Sequence, residues 1–143
     1  MKLRDIMSGP VVRISPEETV TVAARMLEHN NIGAIPVCNG DGRLCGMLTD
    51  RDIVTRCLAA GKQPQSTCVR EIMTAKVYVG RPDMEVSLAA GLMGREQIRR
   101  LPVMEHGKLC GMVSLGDLAR KEGSCIEAGD ALMQISSHLS SRE

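Results

Sequence analysis

The chain has 143 residues, of which 18 are Lys or Arg and 17 Asp or Glu, for a net charge of +1. That balance leaves no basic footprint for nucleic acid or an anionic membrane. No apolar run approaches the roughly 20 residues of a membrane-spanning helix, and no signal-like segment opens the sequence. The expectation is a soluble cytoplasmic protein with the size of one ordinary domain, or of two small halves sharing a core.

Read in chain order, one pattern occurs twice. Arg4-Asp5-Ile6-Met7 comes first, then a β-rich run Val11-Val12-Arg13-Ile14 and a turn at Pro16. Val20, Ala23, Ala24 and Leu27 follow at i, i+3, i+4 and i+7, the stripe of a helix with one apolar face. A strand is expected at Ala34–Cys38, with Pro36 at an edge or strand-start position because Pro cannot donate to a ladder. The polar turn Asn39-Gly40-Asp41-Gly42 leads into a further strand, Leu44–Leu48, completing a hairpin. A second helix is expected from Asp50, with Gly61 as its stop.

The second pass repeats this at a shift of 66. Arg70-Glu71-Ile72-Met73, Val77-Tyr78-Val79, Pro82, the helical set Val86, Ala89, Ala90 and Met93, and the strand Arg100–Met104 take the matching places. The shift falls to 65 after the Asn39–Arg43 turn, which has one residue more than its counterpart Glu105-His106-Gly107. Leu109–Val113 is then a strand, Leu115 starts a helix, and Gly123 is its expected stop. An internal repeat governs the whole reading of a fold. The expected class is therefore α+β: two β-α-β-β-α repeats, packed sheet to sheet with pseudo-twofold symmetry. Residues 1–61 form the first repeat, 62–67 a linker with Pro64, Gln65 and Ser66, and 68–123 the second repeat. In the tail, 124–143, Ile126 stands apart, while Leu132, Ile135 and Leu139 lie at helical spacing. That fits either a short amphipathic helix or a frayed terminus.

The core must be built without Trp or Phe, and Tyr78 is the only aromatic residue. Aliphatic side chains and ten methionines fill it. Stacking platforms for single-stranded nucleic acid are missing. Six cysteines, at 38, 45, 57, 68, 110 and 125, include no C-x-x-C pair. Small buried apolar residues are the ordinary reading of such cysteines.

The repeated phrase with chemical content runs from a glycine to an aspartate. Gly46-Met47-Leu48-Thr49-Asp50-Arg51-Asp52 is matched by Gly111-Met112-Val113-Ser114-Leu115-Gly116-Asp117. A hydroxyl residue three before an acidic one, at a strand-to-helix junction, is close to a capping box. The same carboxylate can accept from a ribose 2′,3′-diol while the hydroxyl reaches ribose or phosphate. Gly46 and Gly111 let backbone approach a ligand, or simply suit the strand.

Two β-α-β-β-α units, each with an Ile/Leu-Pro-Val strand and a Gly-x-x-hydroxyl-x-x-Asp turn, closely resemble a tandem cystathionine-β-synthase-type (CBS) domain pair, or Bateman module. The resemblance covers residues 1–123, and the chain is similar to the small stand-alone bacterial members. It implies a non-catalytic regulatory protein that binds an adenosine-containing ligand, such as AMP, ADP, ATP or S-adenosylmethionine, in the cleft between repeats. No cofactor is required, and an adenine nucleotide is the implied ligand. A homodimer and a regulated partner protein are also implied. One implied site joins Met112, Ser114 and Asp117 to Val11, Val12, Ile32 and Gly33. The other joins Met47, Thr49 and Asp52 to Val77, Tyr78, Ile98 and Arg99. Arg99-Arg100, where the first repeat has Gly33-Ala34, resembles the phosphate-binding residues of the regulatory subunit of AMP-activated protein kinase. Two solvated arginines at a strand start are the alternative. The smaller Gly33 favours the Asp117 site. A second functional class is a zinc- or redox-responsive pair protein that uses cysteine and His29, His106 or His138 without nucleotide. No nucleophile–base–orienter set suggests an enzyme.

Overall fold

The computed structural model describes residues 1–9, 11–120 and 129–135. A 3-10 turn at Leu3–Asp5 is followed by α1 (Val20–His29), β1 (Ala34–Cys38), β2 (Leu44–Thr49) and α2 (Asp50–Asp52). The last runs directly into a π-helical segment, Ile53–Leu58. Then come α3 (Val69–Ile72), α4 (Val86–Glu96), β3 (Arg100–Glu105), β4 (Lys108–Ser114) and α5 (Leu115–Arg120). Two two-stranded sheets result, β1-β2 and β3-β4. The mixed helix-and-strand repeat expected from the sequence is present.

The β-rich runs that open each repeat depart from expectation. Neither Val11–Ile14 nor Val77–Val79 forms a strand. Each copy makes one parallel bridge instead, Ile14 to Val37 and Gly80 to Val103. The Ile14 N–H donates to Pro36 O at 3.1 Å, and Ile14 O accepts from Cys38 N at 2.9 Å. Gly80 repeats this with Pro102 O at 2.8 Å and Met104 N at 2.9 Å. Extending the ladder by one more pair needs a donor at Pro36 or Pro102, and proline has none. The proline that marked each strand in the sequence therefore also stops the pairing alongside it.

Two compact units form, and they cut across the order of the chain. One contains Val12–Val77 with Gly107–Leu109; the other contains the described residues of Met1–Val11, Tyr78–His106 and Cys110–Glu143. Each unit has its own core. Ile14, Val20, Ala23, Leu27, Ile35, Val37 and Leu48 of the first repeat are closed over by Val69 and Ile72. Val86, Ala89, Ala90, Met93, Leu101, Val103 and Val113 of the second repeat are closed over by Leu3 and Ile6. The opening segment of each repeat thus packs on the other repeat's elements. Val69 N–H donates to Glu18 O at 2.8 Å and Arg70 N–H to Pro16 O at 3.0 Å. Leu3 N–H donates to Met84 O at 2.9 Å and Arg4 N–H to Pro82 O at 3.0 Å. The residues after these short helices then bridge the hairpins: Thr74 pairs with Met47, and Ser8 with Met112.

This pairing explains two glycines. A Cβ at Gly46 would lie 2.6 Å from Thr74 O and 3.0 Å from the Met73 sulfur. One at Gly111 would lie 2.6 Å from the Met7 sulfur. The sequence offered approach to a ligand or simple fit to the strand; the space beside both glycines is taken by a neighbouring chain segment instead. The extra residue of the first hairpin is taken up by a register shift between Val37 and Cys38, which sets Cys38 opposite Leu44. The shorter second turn has His106 and Gly107 both at positive φ, 53° and 76°, the conformation a two-residue hairpin loop demands.

Residues 129–135 are helical. Their buried face is Ala131 and Ile135, whereas Leu132 is 44% exposed. Of the expected stripe Ile135 is buried, while Ala131 takes the place expected for Leu132. The small Gly94 of α4 explains the seating, since a Cβ there would meet Ala131 Cα at 3.3 Å. Ile126, Leu139 and the expected stop at Gly123 lie outside the described residues.

Gly111→Ala and Gly46→Ala are expected to destabilise by about 1–3 kcal/mol through overpacking. Gly40→Ala, where a Cβ meets nothing within 4 Å, is expected to stay within about 0.5 kcal/mol. Urea unfolding of the three variants checks this. Leu3→Ala, removing a fully buried side chain that reaches its core from the far end of the sequence, is expected to lose about 2–5 kcal/mol in the same assay.

Candidate functional site

Strand pleating sets out the candidate site. Along β4, Leu109, Gly111 and Val113 are buried, while Cys110, Met112 and Ser114 alternate with them as half-buried residues. Along β2, Gly46 and Leu48 are buried, and Cys45, Met47 and Thr49 share the other face. Side chains two apart on a strand point the same way. Met112 with Ser114, and Met47 with Thr49, are thereby presented together on the face turned from each core.

The strand ends at the hydroxyl residue, and the helix begins with a complete capping box in both copies. Thr49 Oγ1 accepts from Asp52 N at 3.1 Å, and Asp52 Oδ2 accepts from Thr49 N at 3.0 Å. Ser114 Oγ accepts from Asp117 N at 3.1 Å, and Asp117 Oδ2 accepts from Ser114 N at 2.8 Å. The capping reading of the motif is therefore correct, and it fixes the carboxylates. Asp52 and Asp117 are two of three buried polar or charged residues among those described, at 7% and 6% exposure. Each retains a second oxygen, Oδ1, which faces an arginine: Arg56 Nε at 3.7 Å from Asp52, and Arg120 Nη2 in hydrogen-bond contact with Asp117. A carboxylate has about four acceptor positions, so each can still receive donors such as a vicinal diol. Each hydroxyl accepts one backbone N–H and keeps its own proton to donate.

The other sequence-derived residues divide between the units differently from the implied sites, which joined Val12, Ile32 and Gly33 to Asp117 and Tyr78, Ile98 and Arg99 to Asp52. Val11, Tyr78, Ile98, Arg99 and Arg100 belong to the unit of Met112, Ser114 and Asp117; Val12, Ile32, Gly33 and Val77 belong to that of Met47, Thr49 and Asp52. Gly33 O accepts from Asp50 N at 2.9 Å, and a Cβ on Gly33 would meet an Asp50 carboxylate oxygen at 3.4 Å. Arg99 O accepts from Leu115 N at 3.1 Å. The residue before each β1-type strand thus lies beside the hydroxyl–aspartate turn of its own unit. Arg99 is exposed and Arg100 half-buried. Tyr78 and Ile98 pack partly against the core that contains Val103 and Val113, and Val12 and Ile32 against the other. The charged partners of the two aspartates, Arg56 and Arg120, were not among the residues expected from the sequence. Their signal was present as a basic residue one helical turn after each aspartate.

The cysteines are free at 38, 45, 57, 68 and 110. Cys45 and Cys110, at equivalent places in the sequence, lie in different units. Burial pushes the Cys38 thiol up; Arg13 opposes this and Cys45 adds to it. Burial also pushes the Cys110 thiol up, with Glu105 adding and a backbone hydrogen bond opposing. Among the described residues, no three His, Cys, Asp or Glu are gathered where they could hold a metal ion. No described helix is long and apolar enough to cross a membrane.

The family model described as "CBS domain" matches the chain twice, over residues 3–59 and 69–123. The chain belongs to the CBS-domain family. Both matches include one hydroxyl–aspartate turn. The CBS domain-containing protein YhcV of Bacillus subtilis is 44% identical over 134 residues, 94% of each chain. Hypoxic response protein 1 of Mycobacterium tuberculosis is 39% identical over 117 residues, 82% of each chain. A solved structure of Hypoxic Response Protein I with two coordinated zinc ions superposes with a TM-score of 0.78 at 38% identity, covering 84% of this chain and 98% of that one. The CBS domain pair of protein MJ0100, in complex with 5′-methylthioadenosine and S-adenosyl-L-methionine, gives a TM-score of 0.76 at 29% identity, covering 84% of this chain and 94% of that one. The relatives are CBS-pair proteins, and the match to a family of regulatory modules names no catalytic family.

Ser114→Ala and Thr49→Ala remove a cap and are expected to lower stability by about 1 kcal/mol each, read by urea unfolding. For Cys38 and Cys110 the folded thiol ionises at higher pH than in the unfolded chain. Their contribution to stability is therefore complete below the ordinary thiol range and is lost as pH rises through the raised values. Iodoacetamide should label both more slowly in the native protein than in urea, as peptide mapping after brief exposure would report.

Proposed function

We propose that the chain is a non-catalytic regulatory module that binds an adenosine-containing ligand and signals by favouring one of two conformations. The observation that carries this reading is the buried carboxylate of Asp117, held by a capping box beside Met112 and Ser114 and duplicated at Asp52. A vicinal ribose diol is a natural donor pair for such a carboxylate. Support comes from membership of the family and from the MJ0100 pair, which carries two adenosine derivatives. In the favoured site, Asp117 takes the ribose, Ser114 the ribose or phosphate, and Met112 and Val11 supply apolar wall. Arg99 and Arg100 favour a phosphate through their guanidinium groups. Met47, Thr49 and Asp52, with Ile32, Gly33 and Val77 in the same unit, provide a second place for the same chemistry. Signalling then requires that the ligand bind one conformation better than the other. A homodimer, or a regulated protein partner, is the receiver of that change.

A zinc-responsive role is the second reading. It is supported by the two zinc ions coordinated in the Hypoxic Response Protein I structure. Metal analysis of the purified protein, with thiol titration before and after chelation, tests it. Stoichiometric zinc whose removal exposes thiols supports it, and unchanged thiols without bound metal exclude it.

The adenosine reading is tested by thermal shift with AMP, ADP, ATP, NAD and S-adenosylmethionine. An extrinsic dye serves because the chain has no Trp. A ligand at about 100 times its Kd should stabilise the protein by about 2.7 kcal/mol. Asp117→Ala is expected to abolish the larger part of the shift. A shift unaffected by both Asp117→Ala and Asp52→Ala would remove the ribose role from both carboxylates.

A further inference from the structure

Neither buried carboxylate is idle before a ligand arrives. Oδ2 of each accepts the N–H of its own cap residue, and Oδ1 of each faces an arginine one turn along the helix. A diol that engages both oxygens therefore competes with that arginine at Oδ1.

The two arginines are held differently. Arg56 Nη1 also donates towards the carbonyls of Ile72 at 3.5 Å and Met73 at 3.3 Å, at the end of α3. Among the described residues, Arg120 has Asp117 as its partner and no such backbone anchor. Its side chain is 71% exposed, whereas that of Asp117 is 8% exposed. An ion pair whose cation stands mostly in water is weak and is exchanged readily. The carboxylate stays in place because the capping box holds it.

Building on the adenosine reading above, we infer that Arg120 is a specificity-determining residue that selects anionic over neutral adenosine ligands. Arg120 pairs with Asp117. A ribose that takes Oδ1 displaces the guanidinium and leaves its charge without a counter-ion. A ligand with a phosphate brings its own anion to a freed guanidinium, which suits phosphate oxygens. A neutral nucleoside brings none and loses the pair. Arg56 is held by two backbone carbonyls and lies 3.7 Å from Asp52 Oδ1, too far for a hydrogen bond, so a diol there frees no guanidinium for a phosphate. The asymmetry between the two copies lies in what restrains the arginine as well as in the residues lining each site.

Calorimetric titration of AMP and adenosine, used as the two probes, tests the inference. The wild-type protein should prefer AMP, and Arg120→Met should reduce the ratio of the two affinities about tenfold, the size expected for a lost charge-assisted contact. Arg120→Lys should keep most of the preference, and Arg56→Met should leave it unchanged. If Arg120→Met fails to fold, Arg120→Gln replaces it, and the same loss of preference is expected. A ratio unchanged in Arg120→Met, while Asp117→Ala abolishes binding, overturns the role of Arg120 and leaves the ribose role of Asp117 intact. Failure of both probes to bind the wild type overturns the adenosine reading itself.

Discussion

The structure depends on the close approach of a neighbouring segment at two glycines, through the Thr74 carbonyl at Gly46 and the Met7 side chain at Gly111. Met7 lies against Gly111 and Met73 against Gly46, where no side chain fits. That approach lets Ser8 and Thr74 each pair with a hairpin strand of the other repeat. It also carries Leu3 with Ile6, and Val69 with Ile72, over the two cores. Without these residues each core would be a small sheet and one main helix with an uncovered apolar face, and small units are poorly stabilised.

The two exchanges are alike in contacts and unlike in chain distance. The unit around Val37 is completed by residues only a few tens of positions downstream. The unit around Val103 waits for Leu3 and Ile6, about a hundred positions upstream, and long loops close at a modest but real entropic cost. Contacts of high sequence separation also slow folding. The second core is thus the one whose formation requires both ends of the repeat array.

The same economy of parts appears at the hydroxyl–aspartate turns. A capping box exists to satisfy helix-end donors. Here it also buries a carboxylate, fixes one oxygen and leaves the other facing outward to an arginine. Local helix stability and readiness for a polyol are therefore the same arrangement of atoms, which is why the motif reads equally well as a cap and as a binding element. The face that carries Met112 and Ser114 follows from pleating alone once Val113 is committed to the core.

The internal repeat, the helix stripe of α4, that of α1 apart from Ala24, which is exposed, the hairpins and the capping boxes were legible in the sequence, because each is set by interactions within a few residues. The difference in hairpin length was legible too, and it reappears as the register shift beside Cys38. Other features depend on residues far apart in the chain. Val11–Ile14 and Val77–Val79 have strand composition, yet their pairing ends after one bridge because the facing residues are Pro36 and Pro102. The turn of the terminal helix onto Ala131 and Ile135, away from Leu132, was decided by the small Gly94 it meets. The membership of each core, the role of Gly46 and Gly111, and the different anchoring of Arg56 and Arg120 were likewise decided only by tertiary structure. Local periodicity determines what a segment can form, but which face it buries and which charge it meets depend on a neighbour that the spacing of residues does not name.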